Sequence, residues 1–101
     1  MNAQNALLLA LFVYLVMSLI AFAAYSHDKR AARRGRRRTP ERFLHTLEAL
    51  GGWPGGVLAR RLLRHKTRSR GFLLTSWVII AFHAAGWFFV ARAFAVLLHA
   101  D

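Results

Sequence analysis

Residues 6–25 read ALLLALFVYLVMSLIAFAAY, a run of 20 residues without a charged side chain. At 1.5 Å per residue, a helix of that length spans about 30 Å, which is the thickness of the hydrocarbon core of a bilayer. A second run of the same length, FLLTSWVIIAFHAAGWFFVA, occupies residues 72–91, and an apolar tail extends it to 99. The sequence therefore predicts an all-α membrane protein with transmembrane helices at 6–25 and 72–91.

A cleaved signal peptide is the alternative interpretation of the first run, because Ala21-Phe22-Ala23 resembles a processing site. Signal peptides begin with basic residues and have an apolar core of about 7 to 15 residues. The opening residues MNAQN contain no basic side chain, and the apolar run is longer than such a core. The pattern favours a membrane span.

The charge of the chain is concentrated between the two apolar runs. The 101 residues include 15 Lys+Arg and 4 Asp+Glu, a formal net charge of +11, and only Arg92 among the basic residues lies outside the segment from Lys29 to Arg70. Basic residues that flank a span stay on the cytosolic side. We therefore expect a single membrane domain, residues 1–101, with both termini outside and the basic segment 26–71 in the cytosol or at its interface.

The basic segment contains a predicted amphipathic helical hairpin with a Gly/Pro turn. Thr39-Pro40-Glu41 is typical of a helix start, and the following apolar side chains recur at helical spacing, which predicts a helix near 40–50. GGWPGG at residues 51–56 interrupts it, because glycine and proline disfavour helical backbone. A second helix is expected near 57–64.

The charged side chains of the hairpin determine how deeply it is expected to lie. Helical spacing places His45 and Glu48 on the water-facing side of the first helix and Arg60 and Arg61 on that of the second. Each charge would cost roughly 2.5 to 3.5 kcal/mol at mid-bilayer. An interfacial hairpin is therefore expected, with Trp53 at the membrane boundary. A re-entrant glycine turn stays open as the alternative, provided that protein shields its backbone.

Four short markers occur in a fixed order along the chain. They are Asp28-Lys29-Arg30, Pro40-Glu41-x-x-Leu44, Gly51-Gly52-x-x-Gly55 and His65-Lys66-Thr67-x-x-x-x-Phe72. Over about residues 14–90, this order resembles the small bacterial membrane-protein family catalogued as domain of unknown function 1294. The resemblance implies a bacterial inner-membrane protein and little about chemistry, because the activity of the family is not established. The arginines that follow the glycine turn and the dense basic run at 33–38 depart from the family pattern.

Basic clusters at the inner ends of the two spans are candidates for binding a phosphate, such as that of a lipid headgroup. If the spans pack antiparallel, the two clusters lie at similar depth, and cations with hydroxyl and imidazole donors suit a phosphate. A carboxylate among them can orient a neighbouring lysine or histidine. Alternatively, these cations only fix the orientation of the chain. The candidate residues are Asp28, Lys29, Arg30, His65, Lys66, Thr67 and Arg68.

A polar contact is expected between the two spans. Tyr14 and His83 each lie 11 residues from the inner end of their run, about 16 Å along a helix, so they belong at the same depth. Ser18 shares a helix face with Tyr14, and Trp87 shares one with His83. We expect these four residues to form the contact; a proton or ligand site at His83 is the alternative.

The sequence supports no metal site and no cofactor. It contains no cysteine, and no two of its five histidines have the i, i+3 or i, i+4 spacing that lets a helix chelate a metal. Glu48 and Asp101 have no evident partner, and neither a nucleophile elbow nor a P-loop occurs. An enzyme is therefore the less favoured interpretation.

The favoured function is the binding of anionic lipid headgroups, or of an acidic partner protein, at the cytosolic face. A second copy of the chain or another membrane protein is a further candidate partner. Two alternatives stay open: a minimal enzyme or transporter for a phosphorylated lipid or metabolite, and a membrane tether for nucleic acid. The tether is not favoured, because the run at 33–38 has no interleaved aromatic residues for base stacking.

Overall fold

The computed structural model describes residues 2–35, 39–63 and 70–99. Within these ranges the chain is helical throughout, apart from short turns. The molecule is elongated, with principal dimensions of 62 × 25 × 21 Å. The predicted all-helical fold with a long apolar helix towards each terminus is confirmed. In chain order, the elements are α1 (Ala3–Arg33), α2 (Glu41–Leu47), a π-helical turn (Glu48–Gly52), α3 (Trp53–Leu62) and α4 (Arg70–His99).

The two long helices extend beyond the runs that predicted them. α1 has 31 residues and begins where the side-chain oxygen of Asn2 accepts a hydrogen bond from the Asn5 N–H, at 2.8 Å. α4 has 30 residues. Both helices are long and apolar enough to cross a membrane, and only 6% of the most apolar window of each is buried. Their apolar surfaces therefore lie mostly outside the protein core.

α2, the π-helical turn and α3 form a helical hairpin, and Gly51 is its point of reversal. The φ angle of Gly51 is +120°, which a residue with a Cβ rarely adopts. α3 then begins at Trp53, four residues before the predicted start at 57. The motif GGWPGG therefore both turns the chain and opens a helix, because Pro54 lies in the first turn, where its missing N–H costs nothing.

The hairpin packs closely along the inner half of α1. A Cβ on Gly52 would lie 2.7 Å from the Met17 carbonyl oxygen, and one on Gly55 would overlap the Ser18 carbonyl group. Small residues allow two helices to approach at backbone distance. The glycines of the second half of GGWPGG are therefore tolerated inside α3 because α1 lies directly against them.

The apolar core takes one residue from each of the four α-helices: Tyr25, Leu44, Ala59 and Phe72. The rings of Tyr25 and Phe72 meet edge to face, with centroids 6.2 Å apart. His45 stacks on Phe72 at 4.3 Å and is half-buried, although it was expected on the water-facing side of its helix. The core thus lies at the end of the bundle where α1 finishes and α4 begins.

Beyond the tip of the hairpin, no other described element lies between the outer halves of α1 and α4. They enclose an apolar cleft of about 480 Å³. Leu7 lines the α1 side of this cleft, and Val90, Phe94 and Leu98 line the α4 side. The hairpin is therefore what holds the two long helices together at the inner end of the molecule.

Candidate functional site

Four polar side chains meet inside the inner half of the bundle, and we call them the Glu48 cluster: Tyr25, Glu48, Arg60 and Ser76. They come from α1, the π-helical turn, α3 and α4, respectively. Arg60 Nη1 lies 3.0 Å from the Tyr25 hydroxyl, 3.1 Å from Glu48 Oε1 and 3.3 Å from Ser76 Oγ. The hydroxyl groups of Tyr25 and Ser76 also donate to Glu48 Oε1. The Oε1 atom of Glu48 therefore connects the π-helical turn to α1, α3 and α4.

The Glu48 cluster is almost completely removed from solvent. Glu48, Tyr25 and Ser76 are 0% exposed, and the side chain of Arg60 is 11% exposed. A buried carboxylate is costly unless a cation and hydrogen-bond donors compensate it. Arg60 supplies the opposite charge, so the cluster as a whole is neutral. Glu48 Oε2 is also buried and has no partner within the described ranges.

The predicted positions of Glu48 and Arg60 were wrong. Both were expected to face water, and Glu48 was expected to have no partner. The left-handed turn at Gly51 folds the hairpin so that Glu48, before the turn, meets Arg60 of α3. Helical spacing identifies the faces of a helix but not which face a neighbouring element will cover. The sequence did contain one indication of the pair: an acid and a base lie in the two opposite helices of the predicted hairpin.

A second polar group, which we call the Tyr14 chain, consists of Trp87, Tyr14 and His83 and ends on the backbone of Ala49. Trp87 Nε1 donates to the Tyr14 hydroxyl at 2.7 Å, and that hydroxyl is hydrogen-bonded to His83 Nδ1. His83 Nε2 lies 3.0 Å from the Ala49 carbonyl oxygen. A carbonyl only accepts, so Nε2 carries a proton, and in a neutral imidazole Nδ1 then accepts from Tyr14. These two contacts fix the tautomer of the neutral ring.

The Tyr14 chain brings together three of the four residues expected in the contact between the long helices. Ser18 is not among them. Its backbone carbonyl lies under Gly55, so this part of α1 faces α3 rather than α4. The contact also includes an element that depth matching did not indicate, because His83 reaches the hairpin through Ala49. Trp53, at the same tip, has its ring centroid 6.4 Å from that of His83.

The candidate phosphate-binding residues at the end of α1 have contacts within the protein. Asp28 is fully buried, and its Oδ1 accepts a hydrogen bond from the Thr39 N–H at 2.8 Å. Lys29 Nζ donates to the Leu63 carbonyl, at the end of α3. These two residues tie α1 to both ends of the hairpin. Arg30 is exposed. The other candidates, His65, Lys66, Thr67 and Arg68, lie outside the described residues.

Exposed arginines gather at the end of the bundle where the helix ends meet. α1 and α3 finish there, and α2 and α4 begin there. We call this surface the basic end. Its exposed cations in the described ranges are Arg30, Arg33, Arg34, Arg42, Arg61 and Arg70. No group of three or more histidine, aspartate or glutamate side chains in the described parts of the chain is placed to hold a metal ion.

Comparison with known proteins identifies one family. A family model described as "Protein of unknown function (DUF1294)" matches residues 18–72, slightly more than half of the chain. The matched segment contains the second half of α1, the whole hairpin and the first residues of α4. It therefore includes three members of the Glu48 cluster, whereas the three side chains of the Tyr14 chain lie outside it. No curated protein and no solved structure matches the chain.

Proposed function

The chain belongs to the DUF1294 family of proteins of unknown function, and we propose that it is a bacterial inner-membrane protein that binds anionic lipid headgroups. In this proposal α1 and α4 cross the bilayer, both termini lie outside, and the basic end faces the cytosol. The mostly exposed apolar surfaces of the two long helices support the membrane location. The rule that basic residues stay on the cytosolic side supports the orientation.

The observation that carries the proposal is the common location of the exposed arginines. Six of the seven exposed arginines in the described ranges lie at one end of the molecule, although they are far apart in sequence, from Arg30 to Arg70; Arg92 lies on the outer half of α4. Each basic side chain close to an anionic membrane surface contributes about 1 kcal/mol. A surface of six arginines beside the membrane therefore favours anionic over neutral headgroups.

We propose further that the hairpin is re-entrant rather than interfacial. Its tip lies against Tyr14 and His83, each 11 residues, or about 16 Å, from the inner end of its predicted span. That distance corresponds to about half of the hydrocarbon core. Irregular backbone is tolerated at such depth only where protein covers it, and Gly51 and Gly52 are both buried. Trp53 belongs at that depth as well, instead of at the membrane boundary.

The Glu48 cluster supports insertion of the hairpin. The cost of roughly 2.5 to 3.5 kcal/mol per charge applies to isolated charges at mid-bilayer. Glu48 and Arg60 instead form a hydrogen-bonded pair with opposite charges. Their hydrogen-bond partners, Tyr25 and Ser76, lie close to the inner ends of the two predicted spans. Pairing therefore lowers the cost of placing these two charges inside the membrane.

The two alternative functions have no comparable support within the described residues. Asp28, which an enzyme or transporter would use beside His65, is fully buried and holds the Thr39 N–H. A nucleic-acid tether would need aromatic side chains among the cations of the basic end. At this end, Tyr25 and Phe72 are buried in the core, and Phe43, next to Arg42, offers a single exposed ring rather than a series of stacking surfaces.

The test measures lipid selectivity in bilayers of phosphatidylcholine and phosphatidylglycerol. Spin-labelled phosphatidylglycerol should associate with the reconstituted protein more strongly than spin-labelled phosphatidylcholine, and the preference should decrease as salt is raised, because salt screens exposed charges. Replacing Arg33 and Arg34 by glutamine should weaken the preference, whereas Arg33→Lys with Arg34→Lys should preserve it. Equal association of the two lipids at low salt would refute the proposal.

A further inference from the structure

We infer that a groove between α1 and α3 binds one anionic glycerophospholipid of the cytosolic leaflet, with an acyl chain along the groove and the phosphate at its basic end. The inference rests on the proposed membrane location and headgroup preference. It adds a defined site to what would otherwise be a diffuse attraction between the basic end and the membrane surface.

The groove has the shape of a site for an extended apolar chain. It encloses about 570 Å³ and is lined by Leu15, Leu19 and Phe22 of α1 and by Leu58 and Leu62 of α3. Its lining residues extend over about 12 Å of each helix, from Tyr14 to Phe22 and from Pro54 to Leu62. Gly55 provides the floor, because its contact with the Ser18 backbone brings the two helix axes close together.

A fixed cation lies at the inner end of the groove. Leu62 is the last α3 residue of the lining, and the carbonyl of the next residue, Leu63, accepts a hydrogen bond from Lys29 Nζ. An ammonium group has three N–H donors, so this bond holds the charge in place while leaving donors for a phosphate. On α1, Lys29 lies seven residues after Phe22 and hence on the same helix face.

Further cations surround this end of the groove. Arg33 lies four residues after Lys29 on the same face of α1, and Arg61 precedes Leu62 on α3; both side chains are exposed. Lysine and arginine together provide the charge and the N–H donors that a phosphate diester accepts. The positive charge at the inner end of the groove therefore complements an anionic headgroup.

The energetics favour an anionic lipid over a neutral one. Lipid tails are as apolar as leucine side chains, so moving an acyl chain from the bilayer into the groove gains little hydrophobic free energy. The groove contributes shape, and the cations contribute the preference for a charged headgroup. A zwitterionic lipid would fit the same groove but would lack the favourable interaction of a net negative headgroup with these cations.

The experiment is native mass spectrometry of the protein released from lipid discs that contain phosphatidylcholine and phosphatidylglycerol. The wild-type protein should retain one phosphatidylglycerol. Leu58→Trp, at a side chain that is 51% exposed, fills the groove and should abolish this retention. Leu50→Trp makes the same change at a 57% exposed position of the hairpin outside the groove, and it should retain the lipid.

A second variant tests the role of the cation at the inner end of the groove separately. Lys29→Gln keeps an N–H donor for the Leu63 carbonyl but removes the cation, and it should reduce retention about fivefold, the factor for the loss of one basic residue. Arg42→Gln removes a cation from the basic end away from the groove, and it should not change the retained lipid. If Leu58→Trp or Lys29→Gln retains phosphatidylglycerol as the wild type does, the inference is wrong.

The two proposals fail in different ways. Loss of the spin-label preference for phosphatidylglycerol in the wild-type protein would overturn the proposed function, and the groove site with it. A normal spin-label preference with no retained lipid, or with retained phosphatidylcholine instead, would overturn the groove site alone. Leu58→Trp should keep the spin-label preference, because it changes no charge of the basic end.

Discussion

The Glu48 cluster and the Tyr14 chain are two polar groups in the same apolar bundle, and they differ in charge and in depth. The Glu48 cluster contains an acid and a base, is buried, and joins α1, α3, α4 and the π-helical turn. The Tyr14 chain contains no acid, lysine or arginine, is partly exposed, and joins α1 and α4 to the tip of the hairpin. The charged group lies towards the basic end, whereas the neutral group lies about halfway along the long helices.

This difference follows from the cost of burying a charge. An ionised pair in an apolar setting must be compensated on every side, which requires donors from several elements. A neutral chain of hydrogen bonds needs only one donor for each acceptor. Loss of the Glu48 cluster should therefore destabilise the docked hairpin strongly. Loss of the Tyr14 chain should lower the stability of the contact at its tip by a smaller amount.

The largest expected effect is the loss of one charge from the Glu48 cluster. Glu48→Ala leaves Arg60 without its counterion in a buried site, and we expect the free energy of unfolding to fall by about 3 to 5 kcal/mol. Unfolding of the reconstituted protein in mixed detergent and SDS micelles measures this change.

The matched control removes both charges at once. Glu48→Leu combined with Arg60→Leu leaves no buried charge unpaired, so this double variant should be clearly more stable than either single variant. If the double variant is as unstable as Glu48→Ala, packing or the hydroxyl groups, rather than charge pairing, stabilise the cluster.

A smaller effect is expected where the hairpin docks through backbone contact. Gly55→Leu forces a side chain into the space of the Ser18 carbonyl, and overpacking of this kind costs about 1 to 3 kcal/mol. The same micelle unfolding experiment applies. Gly86→Leu is the control, since a Cβ at Gly86 of α4 has no neighbour within 4 Å. Equal losses for the two variants would contradict close docking of the hairpin on α1.

The smallest effect is expected in the Tyr14 chain. A double-mutant cycle with Tyr14→Phe and His83→Phe should give a coupling energy of about 0.6 kcal/mol, the average for hydrogen bonds between membrane helices. A coupling energy near zero would indicate that the two side chains do not interact in the bilayer. A value close to that of the charged cluster would remove the distinction between the two groups.

The sequence allowed the Tyr14 chain to be predicted in large part, because it depends on distance along two long helices. Tyr14 and His83 are equally far from the inner ends of their runs, and antiparallel helices place such residues side by side. The basic end was predictable for a related reason, since positive residues flank the spans. Both predictions required only the lengths and ends of the helices.

The Glu48 cluster was not predictable in the same way, because it depends on how the hairpin folds. The inward position of Glu48 follows from the turn at Gly51 and from the cover that α1, α3 and α4 provide. The start of α3 was also missed, because glycine propensity describes an isolated helix and not one whose glycines contact a neighbouring backbone. Ser18 was expected to face α4 but lies against α3, because depth along the long helices does not show where the hairpin packs.

The depth of the hairpin tip tests the central claim most directly. The chain has no cysteine, so a single spin label can be attached at Leu50→Cys, an exposed position of the tip. Its accessibility to oxygen and to a water-soluble nickel chelate in bilayers reports its depth. The account predicts high oxygen and low nickel accessibility, as for a label at Phe82→Cys beside His83. Nickel accessibility as high as that of a label at Arg34→Cys, at the basic end, would contradict it.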